Sequence, residues 1–299
     1  MNLTSLLNIR WENFFQEYFL KDNIPDYYTP IRNVPTTPAI KLKIANKKAM
    51  PGGIAIINCI PPYLKSSSES LLPGLTSVDK YFRQGYLVDF TGFETPEHYL
   101  KEQFQSKSLK NMRRLTRRLL EDKSIYFKTY YGSIERPDYE KHMEFLKNMI
   151  QERFGKRATS HSALQHWEDY VVTGFEMINR KKASLLAIYS GDKPICIGLS
   201  YHRSRVMYSA ITSFDKAFDK FGLSKILFVE RIKWCFEHNY TYLDLAWGDL
   251  PYKKQLVNKV YKYKTQIIYR ENSIRYRFFA HLLGYFLEKK YEMQLRVKR

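Results

Sequence analysis

The pattern of apolar and polar positions predicts a three-stranded meander in the second half of the chain. Apolar stretches at 184–190, 195–202 and 205–212 follow one another closely. Short polar turns at 191–194 and 203–204 separate them. Strand-length runs joined by turns of this kind are typical of antiparallel hairpins.

Helical patterns surround this meander. Before the meander, residues 138–153 and 160–179 carry apolar residues at helical spacing. After it, a glycine opens a predicted helix over 222–238, and a short apolar strand is predicted over 241–245. A strand, glycine turn, helix, strand and polar loop in this order gather polar groups at one edge of a sheet. Further strands are predicted at 125–131 and 261–270.

The first 122 residues also have a mixed pattern. An aromatic helix is predicted over 11–19, and strands over 54–60 and 86–90. A threonine, a proline and a glutamate from position 95 onward are a strong helix start, and the periodicity extends this helix over 96–122. We find no phosphate-binding motif in residues 1–95.

The second half of that helix is strongly basic. It carries no acid and six cationic residues: Lys107, Lys110, Arg113, Arg114, Arg117 and Arg118. Apolar residues recur every three or four positions, so one stripe is expected to be buried and the cations to cover the rest. This surface is either a solvated face or a phosphate- or RNA-binding face. On the second interpretation, Arg114 and Arg118 are candidate substrate-binding residues.

The composition of the whole chain leaves the same two interpretations open: a basic surface that binds an anionic partner, or one that is only solvated. The 299 residues include 49 basic and 30 acidic ones, a formal charge of +19. Such an excess favours an anionic partner, which could be a phosphate-bearing cofactor, RNA, an acidic membrane surface or an acidic glycan. A lysine-rich composition without any such partner is the alternative. A hydrophobic share of 44% with 16% aromatic residues supports a core and argues against a disordered chain.

Cysteine and histidine spacing argues against a metal site. The three cysteines, Cys59, Cys196 and Cys235, show no paired spacing and fit a reducing cytoplasm. We see no signal peptide and no apolar run long enough to cross a bilayer. We therefore expect a cytoplasmic protein, with peripheral contact to a membrane as the alternative.

The polar loop after the strand 241–245 holds most of the candidate chemistry. Acid–base catalysis needs one group that accepts a proton and another that donates one. Asp215, Asp249 and Tyr252 are the candidate catalytic residues, the carboxylates as base and the phenol as proton donor. Three more residues are candidates for binding substrate: Asp244, Trp247 and Lys253. Each also has a structural interpretation, such as a helix cap, a salt bridge or a core hydroxyl.

The turn that opens the helix 222–238 is a candidate site for the phosphate or pyrophosphate of a cofactor. It consists of Phe221, Gly222, Leu223, Ser224 and Lys225. A helix N-terminus offers unsatisfied N–H groups and a partial positive charge, and glycine lets a ligand approach the backbone. An ordinary turn glycine is the alternative.

These features together resemble the BioF2-like, cellulose-biosynthesis-protein-like group of GNAT acyltransferases, relatives of the Fem peptidyltransferases. The resemblance covers about 100–256 and rests on the arginine pairs of the basic helix, on Gly222 and above all on the G-D-x-x-Y-K element from Gly248 to Lys253. Ordinary GNAT enzymes have two glycines before the donor helix, and this chain has one.

The resemblance implies an α/β (α+β) fold of tandem GNAT-like halves, of which the first is degenerate. It divides the chain into 1–122, with the basic linking helix, an acyltransferase half at 123–272, and a basic amphipathic helix at 273–299. That last helix either packs on the core or lies on an anionic membrane.

The resemblance also implies a function: transfer from acyl-CoA, a co-substrate rather than a permanently bound cofactor, to an amine or hydroxyl of a cell-envelope, lipid or polysaccharide acceptor. Two alternatives stay open: Fem-like transfer from aminoacyl-tRNA, and a basic nucleic-acid- or membrane-binding protein without catalysis.

Overall fold

The computed structural model describes residues 7–28, 32–33, 53–65, 71–154, 162–248 and 251–297. The chain forms two compact units. The first comprises Met1–Gly85, Trp247–Asp249 and Val260–Arg299, and the second comprises Tyr86–Ala246 and Leu250–Lys259.

The first unit is a sheet with one long helix. Its elements are β1 (Arg10–Asn13), α1 (Phe14–Leu20), β2 (Arg32–Asn33), β3 (Ala55–Ile60), β4 (Leu64–Lys65), most of β5 (Leu75–Asp89), most of β11 (Lys259–Arg270) and α9 (Ile274–Val297). The strand order is β1-β3-β11-β5, with β1 parallel and β11 antiparallel to β3. Apolar residues of α9 pack on this sheet.

The second unit contains most of the candidate site residues. Its helices are α2 (Pro96–Gln103), α3 (Ser106–Leu120), α4 (Arg136–Phe154), α5 (Ser162–Gln165), α6 (Trp167–Asn179), α7 (Leu223–Glu237) and α8 (Pro251–Leu256). Its strands are the end of β5, then β6 (Ile125–Tyr130), β7 (Ala183–Ser190), β8 (Lys193–Arg203), β9 (Val206–Phe214) and β10 (Tyr242–Trp247). The order is β5-β10-β9-β8-β7-β6.

The predicted meander and the strand beside it are confirmed. Strands β7, β8 and β9 pair antiparallel in sequence order. Helix α7 then crosses over, and β10 pairs with β9 in parallel. The prediction of a mixed α/β fold is therefore confirmed. The finer prediction of a degenerate first copy and its boundaries stays a prediction, although α2 and α3 lie inside the second compact unit.

Three predicted helices were wrong in their extent. The aromatic helix at 11–19 begins only at Phe14, because Asn13 ends β1 and its side chain accepts hydrogen bonds from two helix N–H groups. The helix predicted over 96–122 is two helices, since Phe104 is extended (φ −111°, ψ 137°). The one predicted over 160–179 is broken at His166 within the described part.

The break at Phe104 has a packing cause. At about 100° per residue, one continuous helix would place Tyr99 and Leu100 almost opposite Leu109 and Met112. All four are buried in the same apolar cluster as Phe104 itself. The extended residue therefore rotates the second helix so that both apolar stripes face one core.

Candidate active site

Strands β9 and β10 diverge after a short parallel pairing. The register runs from Tyr242↔Val206 to Asp244↔Tyr208. Beyond the pair Asp244↔Tyr208 the two strands no longer pair with each other, although β9 continues to Phe214 and β10 to Trp247. A β-bulge in β9, between Ser209 and Ile211, directly follows Tyr208, the last residue of β9 that pairs with β10. Diverging strands expose backbone groups and leave a gap for a ligand, and bulges of this kind are common beside active sites.

Strand β10 ends in a strained turn that surrounds a buried carboxylate. Asp244 is fully buried, and its Oδ1 accepts a hydrogen bond from the Ala246 N–H at 2.7 Å. Ala246 has a φ of +57°, a conformation that costs about 1 kcal/mol or more for a residue with a Cβ. The surrounding structure therefore holds this backbone in place at the end of the strand.

Lys253 lies beside this carboxylate, on α8. Its Nζ donates to the Leu245 carbonyl at 2.7 Å and lies 5.8 Å from the centre of the Tyr86 ring. Burial lowers the pKa of Lys253 to about 8, and the attraction of Asp244 opposes that fall only in part. The side chain is consequently an amine that loses its proton close to neutral pH.

Tyr252, which precedes Lys253 in the G-D-x-x-Y-K element, is about half exposed to solvent. Burial of its hydroxyl raises its pKa, and the nearby charges of Arg153 and Arg231 oppose the rise. Arg153 is the penultimate residue of α4, and its guanidinium stacks 4.0 Å from the Phe214 ring at the end of β9. A phenol that stays protonated is suited to donating a proton.

Arg231 is a residue that the sequence interpretation missed. It is only 5% exposed, and its Nη1 donates to the hydroxyls of Ser209 and Thr212 on β9, at 2.8 and 2.7 Å. Burial lowers its pKa to about 10. A Cβ on Gly198 would lie 2.2 Å from Nη2, so the glycine makes room for the guanidinium.

A signal for Arg231 was present in the sequence. It stands four residues after Leu227 and four before Cys235, on a stripe whose other members are buried and apolar. A cation on such a stripe is rarely buried without a reason. Arg153 gave no comparable signal.

Asp215 is held by structural partners. Its Oδ1 caps the 3₁₀ helix Lys216–Phe221 by accepting from the Ala217 N–H, and its Oδ2 accepts from Lys193 Nζ at 2.7 Å. The hydrogen bond from Lys193 lowers the pKa of this carboxyl, so it accepts a proton less readily. Its catalytic assignment stays a prediction, and these contacts favour a structural role.

The predicted donor turn has the geometry of an open helix N-terminus. Gly222 adopts a left-handed conformation (φ 67°, ψ 43°) and precedes α7 without any side-chain cap. A Cβ placed on it meets nothing within 4 Å. Leu223 is fully buried and anchors the helix, Ser224 is half-buried, and Lys225 is exposed. Phe221 packs on Phe218 in the 3₁₀ helix.

The basic helix α3 ends close to this turn. Leu119 belongs to one apolar cluster with Leu223 and Ile226 of α7. All six cations of α3 are exposed; Arg113 pairs with Glu97 on α2, and Arg114 donates to Asn111. The structure thus brings a cationic surface beside the N-terminus of α7.

Two predicted site residues remain: one belongs to the other compact unit, and the other is not described. Trp247 is assigned to the first compact unit, where its ring contacts Phe15 and Tyr263 and lies 5.6 Å from the Arg83 guanidinium. Asp249 lies outside the described residues, so its placement is untested. Within the described ranges, no cluster of metal-ligating side chains is present.

Comparison with known proteins finds a match to one domain model. Residues 106–254 match the model described as an acetyltransferase (GNAT) domain, close to half of the chain. No curated protein matches the chain. Among solved structures, FemX is similar with a TM-score of 0.51 at 10% identity, covering 76% of this chain and 74% of FemX.

Two further structures score just below 0.5, which is too low to support an argument. They are L-PGS from Bacillus licheniformis (TM-score 0.49, 15% identity, 81% of this chain and 74% of that one) and the C-terminal DUF2156 domain of a putative lysylphosphatidylglycerol synthetase from Agrobacterium fabrum (0.48, 15%, 72% and 68%). The likeness to FemX shows the fold alone, in agreement with the resemblance found in the sequence. The match confirms the expected GNAT-type N-acyltransferase, and residues 106–254 are similar to the acetyltransferase (GNAT) domain family.

Proposed function

We propose that the protein transfers an acyl group from acyl-CoA, or a similar thioester, to an amine or hydroxyl of a cell-envelope, lipid or polysaccharide-related acceptor. The observation that carries the proposal is the divergence of β9 and β10, with an uncapped helix N-terminus following β9 and a half-buried Lys253 following β10. A cytoplasmic location and a part in envelope biogenesis belong to the same proposal.

The donor would bind where the backbone favours an anion. The N–H groups at the start of α7 point out of the helix, and the helix dipole adds a partial positive charge. Gly222 leaves the approach open, so a pyrophosphate can reach these groups. The cations of α3 would attract the remaining phosphate groups of the donor. The extended pantetheine arm would then occupy the gap between the two strands.

Lys253 and Tyr252 are suited to the proton transfers of the reaction. The acceptor nitrogen attacks the thioester carbonyl carbon, the C–S bond breaks, and the nitrogen loses a proton while the thiolate gains one. With a pKa of about 8, Lys253 is partly neutral at pH 7 and its lone pair can accept that proton. Tyr252, whose pKa is raised, can supply the proton to the thiolate. Asp249 remains a candidate base.

The basic surface of α3 also supports a second donor. The six exposed cations of α3 form a surface that a polyanion would also neutralise. Aminoacyl-tRNA, the donor implied by the Fem resemblance, presents many phosphates and an activated ester. The reaction would still be acyl transfer, and only the donor would differ.

Ligand-dependent melting separates these donors. A ligand that binds the native state raises the melting temperature according to its concentration relative to its Kd. We expect CoA and acyl-CoA at millimolar concentration to raise it by several degrees, and Gly222→Val, whose side chain projects into the open approach, to abolish the rise. A rise with aminoacyl-tRNA alone would replace the thioester donor, and a rise with neither would contradict the proposal.

A further inference from the structure

Helix α9 is held to the protein by one face. Tyr276, Phe279, Ala280, Leu283 and Leu287 pack against the apolar cluster of the first unit's sheet. Gly284 allows a close approach, since a Cβ there would lie 3.0 Å from the Lys80 side chain, and Lys80 pairs with Glu288. These contacts account for the apolar residues on the inner face of the helix.

The opposite face is also apolar, and nothing in the described structure covers it. Its large side chains are each between 52% and 87% exposed: Ile274, Phe278, Tyr285, Phe286 and Met293. The first three are spaced by four and seven residues and so share one stripe, and the other two form the adjacent stripe. At about 1.5 Å per residue the strip is about 28 Å long. Scattered exposed apolar residues are ordinary, whereas a continuous strip marks an interaction surface.

Cations border this apolar strip. Arg275, Arg277, Lys289 and Lys290 are exposed on the same helix. The sequence of α9 contains five basic and two acidic residues; of the acids, Glu288 is paired with Lys80 and Glu292 with Lys289. A second copy of this helix would bring like charges together, which disfavours self-association. Anionic headgroups would neutralise the same cations.

We propose that the outer face of α9 binds the surface of an anionic lipid bilayer. The helix would lie in the plane of the interface, with its aromatic and aliphatic side chains among the upper acyl chains and its cations at the headgroups. Binding would not involve a span, since no helix in the described ranges is long and apolar enough to cross a membrane. The inference is independent of the acyl transfer proposed above.

Vesicle sedimentation tests this proposal. We expect the purified protein to sediment with vesicles of phosphatidylglycerol and phosphatidylcholine, more weakly with phosphatidylcholine alone, and less as salt rises. The double variant Phe278→Ser/Phe286→Ser should lower the partition coefficient at least about tenfold, because it removes two large apolar groups from the strip. Arg275→Gln/Lys290→Gln should lower it on the anionic vesicles only.

Matched controls lie far from the strip in sequence. Val172 is exposed on α6 and Lys141 on α4, so Val172→Ser and Lys141→Gln should leave binding unchanged. All variants change exposed residues, and unchanged melting temperatures will confirm that they fold.

Three results would overturn the inference. The first is that the wild-type protein does not sediment with vesicles. The second is that the control variants lose as much vesicle binding as the variants of the strip. The third is a dimer in analytical ultracentrifugation that only Phe278→Ser/Phe286→Ser dissociates, with no binding to vesicles.

Discussion

Replacing Lys253 by methionine should make the protein more stable and less active. The side chain keeps nearly the same length and loses its charge. In the folded protein, burial lowers the pKa of Lys253 to about 8, from an ordinary value of 10.5. Folding therefore has to keep a proton on a group whose surroundings disfavour it. Methionine removes that cost.

The size of the effect follows from the two pKa values. A fall from 10.5 to about 8 corresponds to at most about 3 kcal/mol below pH 8. The variant also loses the hydrogen bond to the Leu245 carbonyl, which is worth about 1–2 kcal/mol. We expect a net gain of about 1–2 kcal/mol at pH 7. Since the unfolded chain binds more protons between pH 8 and 10.5, wild-type stability rises across that window and the advantage of the variant shrinks.

Urea unfolding at pH 7 and at pH 9.5 measures this difference. Lys254→Met is the matched control, because its side chain is exposed on the same helix. At pH 7, acyl-transfer turnover of Lys253→Met should fall by about 10²–10⁴-fold, the range for a general base. The reasoning is refuted if Lys253→Met is destabilised at pH 7, or if its stability relative to wild type does not depend on pH.

Three further predictions follow from the site. Gly222→Ala and Gly191→Ala should each cost about 1 kcal/mol, because both residues have positive φ in open space, and only Gly222→Ala should also raise the Kd for CoA in calorimetry. Arg114→Gln/Arg118→Gln should weaken binding of the phosphate-bearing donor and flatten its salt dependence; an unchanged salt slope would leave α3 a solvated face. Asp249→Asn should lower turnover by about 10²–10⁴-fold without changing the melting temperature, and a destabilised but fully active variant would exclude Asp249 from catalysis.

Local pattern was enough to predict the meander and the crossover after it. The strands β7, β8 and β9 are each an apolar run ended by turn residues, so sequence neighbours became sheet neighbours. Gly222 ended one element and began the next because few other residues tolerate its backbone conformation. The same reasoning placed the candidate donor turn correctly at the start of α7.

Long-range packing decided what the sequence interpretation missed. The lowered pKa of Lys253 arises from burial, which a G-D-x-x-Y-K pattern does not express. Arg231 became part of the site because the hydroxyls of Ser209 and Thr212 face it across a β-bulge. The sequence left Asp215 open as a catalytic base or a structural carboxylate, and the meander brings Lys193 to it from the neighbouring strand.

Transfer of labelled acetyl from acetyl-CoA tests the central claim most directly. The protein would be incubated with carbon-14 acetyl-CoA and a total extract of envelope lipids and glycans, and the labelled products separated and counted. We predict label in an amide or ester product, stoichiometric release of free CoA thiol, and loss of both with Lys253→Met. Label that remains on CoA with wild-type protein, while aminoacyl-tRNA donates to the same extract, would contradict the account.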